Sequence, residues 1–107
     1  MGAFDDRENA FEQRAASNEE LRFKIDARRH KTLATWLAGL LGYDAEASKR
    51  YAESFVAENV TVNDDETLFV VLRNGLMRGN VELSDNRIRQ KMIEARNQAR
   101  EEFKPKA

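Results

Sequence analysis

The sequence predicts an all-α protein, a small four-helix bundle preceded by an N-terminal arm, and three observations lead to this fold class. A chain of 107 residues has room for one modest hydrophobic core. Charged residues make up 35% of it and apolar residues 41%, with 5 Gly and 1 Pro, a composition that favours long solvated helices. Apolar residues recur mainly at helical spacing, and the short apolar run at residues 68–72 has no second strand with which to pair.

Cap residues and apolar periodicity divide the chain into an arm (residues 1–16), a helical domain (residues 17–104) and a short tail (residues 105–107). In the domain the helices are predicted at about residues 17–41, 45–59, 65–78 and 85–103. Ser17 and Glu20 form a capping box at the first helix, and Gly42 ends it. Asp44, Asp64 and Ser84 are predicted caps of the other three.

Two of these helices show a clear apolar face. In the first helix the predicted core positions are Leu21, Ile25, Leu33, Trp36, Leu37 and Leu40. In the last helix they are Ile88, Met92, Ala95, Ala99 and Phe103. Both sets recur at three- and four-residue steps, as expected of helices that bury one side.

The arm carries Phe4 and Phe11 seven positions apart, on one face of a helix, among mostly charged residues. Such a stripe is too thin for a core, and an isolated helix of this length is marginal in water, so we expect the arm to be mobile or marginally helical in the free protein. Two alternatives remain for its rings. The arm could lie on the bundle, or the rings could enter a groove of another protein, with charged neighbours such as Arg7 and Glu12 giving complementarity.

Composition excludes several functional classes. The formal charge of -1 gives no field that would attract nucleic acid or an anionic membrane. There is no cysteine, so thiolate chemistry and zinc–cysteine sites are excluded. No apolar run approaches the length of a membrane span. We expect a cytoplasmic protein that is monomeric when free, with no cofactor, no metal, no nucleic acid partner and no direct membrane insertion.

Enzymatic activity has little support in the sequence. His30 is the single histidine and is interpreted as a residue of the helix surface, because its sequence neighbours are cations rather than an orienting acid. The surrounding basic residues, Lys24, Arg28, Arg29 and Lys31, are interpreted as a solvated, salt-bridged helix face. The protein is therefore predicted not to be an enzyme.

A second functional hypothesis depends on residues 73–80, where two glycines accompany Arg73 and Arg78. Small residues and guanidinium groups can hold a phosphate, but the Walker spacing and its lysine are missing. A helix end followed by a turn is the preferred interpretation. A small helical bundle that binds a nucleotide or another ligand weakly through Arg73 and Arg78 is the alternative.

The sequence also resembles a known family, the zeta subunit that inhibits the alphaproteobacterial F-type ATP synthase. The resemblance covers nearly the whole chain and is strongest in its N-terminal third. It is carried by Phe4-Asp5-Asp6-Arg7-Glu8, Ala10-Phe11-Glu12, Glu19-Glu20-Leu21-Arg22-Phe23-Lys24, Ala27-Arg28-Arg29, Trp36, Leu40-Leu41-Gly42, Ser84-Asp85, Ile88-Arg89 and Lys91-Met92. Residues 44–79 show no specific motif of the family.

The resemblance implies an inhibitor protein whose N-terminal arm inserts at an α/β catalytic interface of the ATPase head, near the central stalk. There it would block ATP hydrolysis and reverse rotation, and the protein would be associated with the inner membrane only through the ATP synthase. By carry-over the partner-binding residues are Phe4, Asp5, Asp6, Arg7, Glu8, Ala10, Phe11, Glu12 and Arg14.

Overall fold

The computed structural model describes residues 10–15 and 17–105, and within them it contains helices and no strand. A short helix, α1, covers residues 10–15, and residue 17 is also helical. Four longer helices follow: α2 (Glu19–Leu40), α3 (Ala45–Glu58), α4 (Asp65–Arg78) and α5 (Asp85–Phe103). The predicted all-α class is confirmed, and residues 68–72 form part of a helix rather than a strand.

Side-chain caps start each of the four long helices. The oxygen of each cap side chain accepts a hydrogen bond from the backbone N–H three residues later, an arrangement in which the cap stabilises a helix by about 1 kcal/mol. The caps are Asn18, Asp44, Asp64 and Ser84. The last three are the predicted residues.

The predicted capping box at Ser17 is wrong. Asn18 caps α2 by accepting from the N–H of Leu21 at 3.0 Å. Ser17 is still part of the preceding helical turn, and its hydroxyl donates to the carbonyl of Gln13 at 3.0 Å, a back-bond typical of serine within a helix. The chain therefore changes direction at Asn18.

The end of α2 depends on one glycine. Gly42 has φ of +82°, a conformation that disfavours a Cβ. This conformation lets the N–H of Tyr43 donate to the carbonyl of Ala38 at 3.0 Å and that of Gly42 donate to Gly39 at 3.1 Å. These bonds satisfy carbonyls at the helix end, as in a Schellman-type stop. The stop predicted at Gly42 is confirmed.

The hydrophobic core is organised around α2, which packs against α3, α4 and α5, while α4 also packs on α5. The main core cluster consists of buried residues from these four helices: Leu33, Ala34, Leu37, Ala52, Phe55, Leu68, Phe69, Leu72, Leu76, Ile88, Met92 and Ala95. The arrangement is that of the predicted four-helix bundle.

The inner face of α2 differs in part from the prediction. Leu40, assigned to the core, is 39% exposed, whereas Arg29 and His30, assigned to the surface, are 3% and 2% exposed. His30 stands at i, i+3 and i+7 spacing with Leu33 and Leu37, so helical periodicity places it on the buried side. The surface assignment followed the polarity of the two residues and overlooked their position.

His30 is satisfied in the core as a neutral ring. It lies edge-on to Phe55, with ring centroids 6.2 Å apart, and it hydrogen-bonds the backbone carbonyl of Val62. Burial lowers the pKa of His30, the charge of Arg29 lowers it further, and the bond to Val62 opposes the shift. This environment suits a structural histidine.

Candidate functional site

A second, smaller hydrophobic cluster holds α1 against the bundle. Phe11 and Ala15 stand four positions apart on one face of α1 and are 3% and 5% exposed. They pack with Ile25 of α2 and Ala99 of α5. Leu21 and Phe103 flank the cluster. The α1 helix thus closes the end of the bundle where α2 begins and α5 ends.

The lengths of the four long helices explain why this end of the bundle is open to α1. The α2 helix has 22 residues and α5 has 19, whereas α3 and α4 have 14 each. Ile25 and Ala99, near the outer ends of the two long helices, belong to the α1 cluster and not to the main core. The long helices therefore leave an apolar strip beyond the shorter pair, and α1 covers it.

Among the described residues, one ion pair connects α1 to the bundle. Oε2 of Glu12 lies 3.1 Å from Nη2 of Arg100, with the two side chains 43% and 35% exposed. An ion pair with this much solvent contact is worth at most about 1 kcal/mol. The ion pair therefore contributes more to the orientation of α1 than to the free energy that keeps α1 on the bundle.

The contacts that hold α1 are few. Phe11 and Ala15 are the buried side chains of this helix, and Glu12 adds a partly exposed ion pair. The contact is also incomplete, since a polar cleft of about 440 Å³ opens between Ala15, Arg22, Asp26 and Arg100. A segment with so few contacts belongs to the low-stability part of a fold.

A partly buried ion network lies beside this cleft. Arg29 donates from Nη1 to Oδ1 of Asp65 at 2.9 Å and from Nε to the carbonyl of Met92 at 3.1 Å. Arg96 donates to the same carboxylate oxygen at 2.6 Å. Burial alone would raise the pKa of Asp65, but the hydrogen bonds and charges of the two arginines outweigh it and lower that pKa. The network fixes α2, α4 and α5 to one another.

The other acid of this region behaves differently. Burial raises the pKa of Asp26, and the positive charges of Arg29, Arg22 and Arg96 only partly oppose that shift. The arginines therefore outweigh the effect of burial on the pKa of Asp65 but not on the pKa of Asp26. This difference follows from their hydrogen bonds, since Asp65 accepts directly from Arg29 and Arg96.

A family model places this arrangement among known proteins. The model for the ATPase inhibitor subunit zeta matches residues 1–102, which include both the arm and the bundle. The chain belongs to this family. Neither the curated proteins nor the solved structures gave a significant match. The resemblance noted in the sequence is confirmed, and at family level the function is that of an inhibitor subunit associated with ATP synthase.

The structure describes part of the predicted partner-binding set of this zeta-family chain. Ala10 and Arg14 are exposed on α1, Glu12 pairs with Arg100, and Phe11 is buried in the chain's own small cluster. Five further predicted residues lie outside the described residues: Phe4, Asp5, Asp6, Arg7 and Glu8. Of the two alternatives for Phe11, the structure shows the ring on the bundle, so a partner could receive it only after α1 moves.

The two arginines of the nucleotide alternative point in different directions. They are five positions apart on α4, about 140° around a helix. Arg73 faces Asp85 of α5, with an N–O distance of 3.9 Å, whereas Arg78 lines a cleft with Tyr51 and Val71. The structure does not bring Arg73 and Arg78 together, so it adds no support to a shared phosphate site.

The residues that receive α1 were only partly recognised in the sequence as a site. Ile25, Ala99 and Phe103 were assigned to core faces, and Arg100 was given no role. The available signal was the greater predicted length of the first and last helices, which implied apolar ends beyond the shorter pair. Within the part of this zeta-family chain that the structure describes, no helix combines the length and apolar character that a membrane crossing needs.

Proposed function

We propose that this zeta-family protein inhibits ATP hydrolysis by the F-type ATP synthase through its N-terminal arm. In this proposal residues 4–14 enter an α/β catalytic interface near the central stalk, with Phe4 and Phe11 as apolar anchors and Arg7 and Glu8 as polar ones. The observation that supports it is the separation of Phe11 from the main core. The ring belongs to a small cluster of its own, so α1 can leave without opening the bundle.

Such an arm would act by selecting one state of a rotary cycle. A ligand shifts an equilibrium only by its difference in affinity for the states concerned. An arm that folds in one conformation of the interface therefore stabilises that conformation and stops rotation in the hydrolysis direction. On this proposal the protein is cytoplasmic and reaches the inner membrane only through the enzyme.

Docking of α1 on the bundle opposes this binding. The apparent dissociation constant of the arm equals its intrinsic value divided by the fraction of protein with α1 released. Contacts that hold α1, including Phe11 with Ala99 and Glu12 with Arg100, therefore weaken inhibition. Release of α1 becomes a step of the inhibitory reaction.

Two substitutions that both release α1 test the role of Phe11. Ala99→Glu places a charge under the Phe11 ring but leaves the arm unchanged, so a lower concentration should give half-maximal inhibition of ATP hydrolysis. Phe11→Ala also releases α1 but removes the anchor, so a higher concentration should be required, by about tenfold or more for the loss of 1.4 kcal/mol or more. Circular dichroism establishes that both variants remain folded.

The contrast between the variants decides the proposal. Equal effects in the same direction would mean that only the docking of α1 matters and that Phe11 is no anchor. Unchanged inhibition by Phe11→Ala would contradict the proposed insertion of the ring. Asn97→Ala, at an exposed position of α5 outside the arm, is the control and should inhibit like the original protein.

A further inference from the structure

A groove between α2 and α3 forms a second surface that the arm does not use. It encloses about 790 Å³, and no described residue of α1 lines it. Its lining is largely apolar or small and includes Gly39, Ala45, Ser48, Ala52 and Val56. Side chains of this size leave room for a ridge of large side chains from another helix.

A shallower cleft of about 430 Å³ continues this groove across α2. Lys31 and Thr35 line both cavities, so they form a shared ridge. On the far side the cleft is lined by Arg28, Trp36 and Lys91. We call the groove and the adjoining cleft together the α2 docking face.

The α2 docking face is positively charged although the chain as a whole has a formal charge of -1. Its lining holds one carboxylate, Glu53, and four cations, which leaves an excess of three positive charges. The four are Arg28, Lys31, Lys49 and Lys91.

The cations of this face are available to an external acid. Arg28 and Lys91 have partly exposed partners, Glu102 at 2.9 Å and Glu94 at 3.9 Å, in pairs of the kind that exchange readily with other charges. Lys31 and Lys49 have no ion pair with any carboxylate in residues 10–15 and 17–105. An incoming carboxylate would therefore displace few internal contacts.

At Gly39 the backbone of α2 is open to close approach by another molecule. A Cβ built at this residue meets nothing within 4 Å, so packing inside the chain does not require glycine there. Alanine would be the better helix former at this position of α2. Open space above a glycine lets the backbone of another molecule approach closely.

We propose that the α2 docking face binds an acidic amphipathic helix of the ATP synthase. The apolar side of that helix would fill the groove over Gly39 and Ala52, and its carboxylates would face the four cations. This inference rests on the proposed function, because it supplies the second contact that holds the bundle while the arm reaches the catalytic interface. Two linked contacts bind more tightly than either alone.

Charge reversal tests the electrostatic half of the inference. The double variant K31E/K49E should bind the purified ATPase head about tenfold more weakly or worse at low salt, with a smaller difference as salt screens the contact. The control R50E/R78E changes the net charge equally, at exposed residues that do not line the face, and should bind within about twofold of the original protein. Inhibition at saturating concentration is measured separately.

Filling the groove tests the steric half. Gly39→Leu should keep the melting temperature, because the added side chain points into open space, yet it should abolish tight binding to the head. A photo-reactive residue at Ser48 should then cross-link an acidic helical segment of the head, identified by mass spectrometry. Cross-linking to a segment without carboxylates would overturn the inference.

Failure of this inference is distinguishable from failure of the proposed function. If Gly39→Leu and K31E/K49E both bind the head like the original protein, the face is not a docking site, even where inhibition is normal. If binding depends on the face but the bound protein leaves ATP hydrolysis unchanged, the inhibitory arm fails and the docking face stands.

Discussion

Arg29 connects three helices of the bundle, α2, α4 and α5. Its guanidinium, on α2, contacts the Met92 carbonyl of α5 and the Asp65 carboxylate at the start of α4. Burial lowers the pKa of Arg29, and the hydrogen bond that Arg29 donates to Asp65 counteracts that shift. Among the described residues, Nη2 of Arg29 is buried without a hydrogen-bond partner. A buried charge so placed depends heavily on the carboxylate that accepts its hydrogen bond.

Asp65→Asn should therefore destabilise the fold by about 1.5 to 3 kcal/mol, because it removes the hydrogen-bonded countercharge of the buried Arg29. Urea denaturation measures the change. Glu66→Gln is the control: it removes a neighbouring charge from the same helix turn, but the Glu66–Arg89 pair is exposed, so its loss should change stability by less than about 1 kcal/mol. Equal losses would show that the Arg29 network adds nothing beyond a surface pair.

His30 makes the stability of the fold depend on pH, and the direction of its pKa shift predicts the sign of that dependence. Its pKa in the folded protein lies below the ordinary value of 6.5, so just below that pH the unfolded chain binds more protons than the folded one. Stability from neutral His30 is complete above pH 6.5 and decreases as the pH falls. Urea midpoints of the original protein should fall between about pH 7.5 and about pH 5.

His30→Gln provides the comparison for that titration. Glutamine keeps a hydrogen-bond donor near Val62 but does not ionise, so its urea midpoint should fall less over the same range. The raised pKa of Asp26 contributes in the opposite direction nearer the acid end. Parallel pH curves for the two proteins would show that His30 does not titrate differently on folding.

At the scale of helices, α1 is the element whose stability differs from the rest. It joins a cluster separate from the main core, and its polar link to the bundle is one partly exposed ion pair. The chain changes direction beside it at Asn18, whose N–H donates to the carbonyl of Arg14 at 2.9 Å. The α1 helix is therefore expected to open independently of α2–α5.

Phe11→Ala should reveal that independence in hydrogen exchange. The amide of Asn18, which bonds to Arg14, should lose protection, while amides of the α5 core around Met92 should not. Because α1 opens locally, the loss of global stability should stay well below the about 3 to 5 kcal/mol of a Phe→Ala change in a main core. Simultaneous loss of protection in α5 would mean that α1 and the bundle form one cooperative unit.

The helices themselves were largely predictable from local chemistry. Ser84 and Asp44 are caps because a short side-chain oxygen reaches the N–H three residues on, a contact that sequence spacing encodes. The error at Ser17 arose because two adjacent residues were competent to cap, and only packing of the preceding turn selects Asn18. Arg29 and His30 were misplaced because the acid and the carbonyl that satisfy them, Asp65 and Val62, are distant in sequence.

At the scale of the whole molecule, the proposed inhibitory residues lie outside the main core. The main core lies among α2–α5, and the predicted inhibitory residues that the structure describes lie on α1. The arm was recognisable in the sequence from Phe4, Phe11 and the family resemblance. Its contact with Ile25 and Ala99 was not, since apolar residues at the ends of long helices carry no mark of what covers them.

The most direct test of the account joins α1 to α5 and measures inhibition. The chain has no cysteine, so Glu12→Cys/Arg100→Cys can be cross-linked specifically by a short cleavable bis-maleimide, at the position where the ion pair now brings the side chains to 3.1 Å. Arg73→Cys/Asp85→Cys, which links α4 to α5, is the matched control. The account predicts that the α1 cross-link abolishes the inhibition of ATP hydrolysis shown by the same double-cysteine protein before cross-linking, that cleavage restores that level, and that the control inhibits throughout. Full inhibition by the protein with α1 locked in place would contradict the claim that the arm must leave the bundle to act.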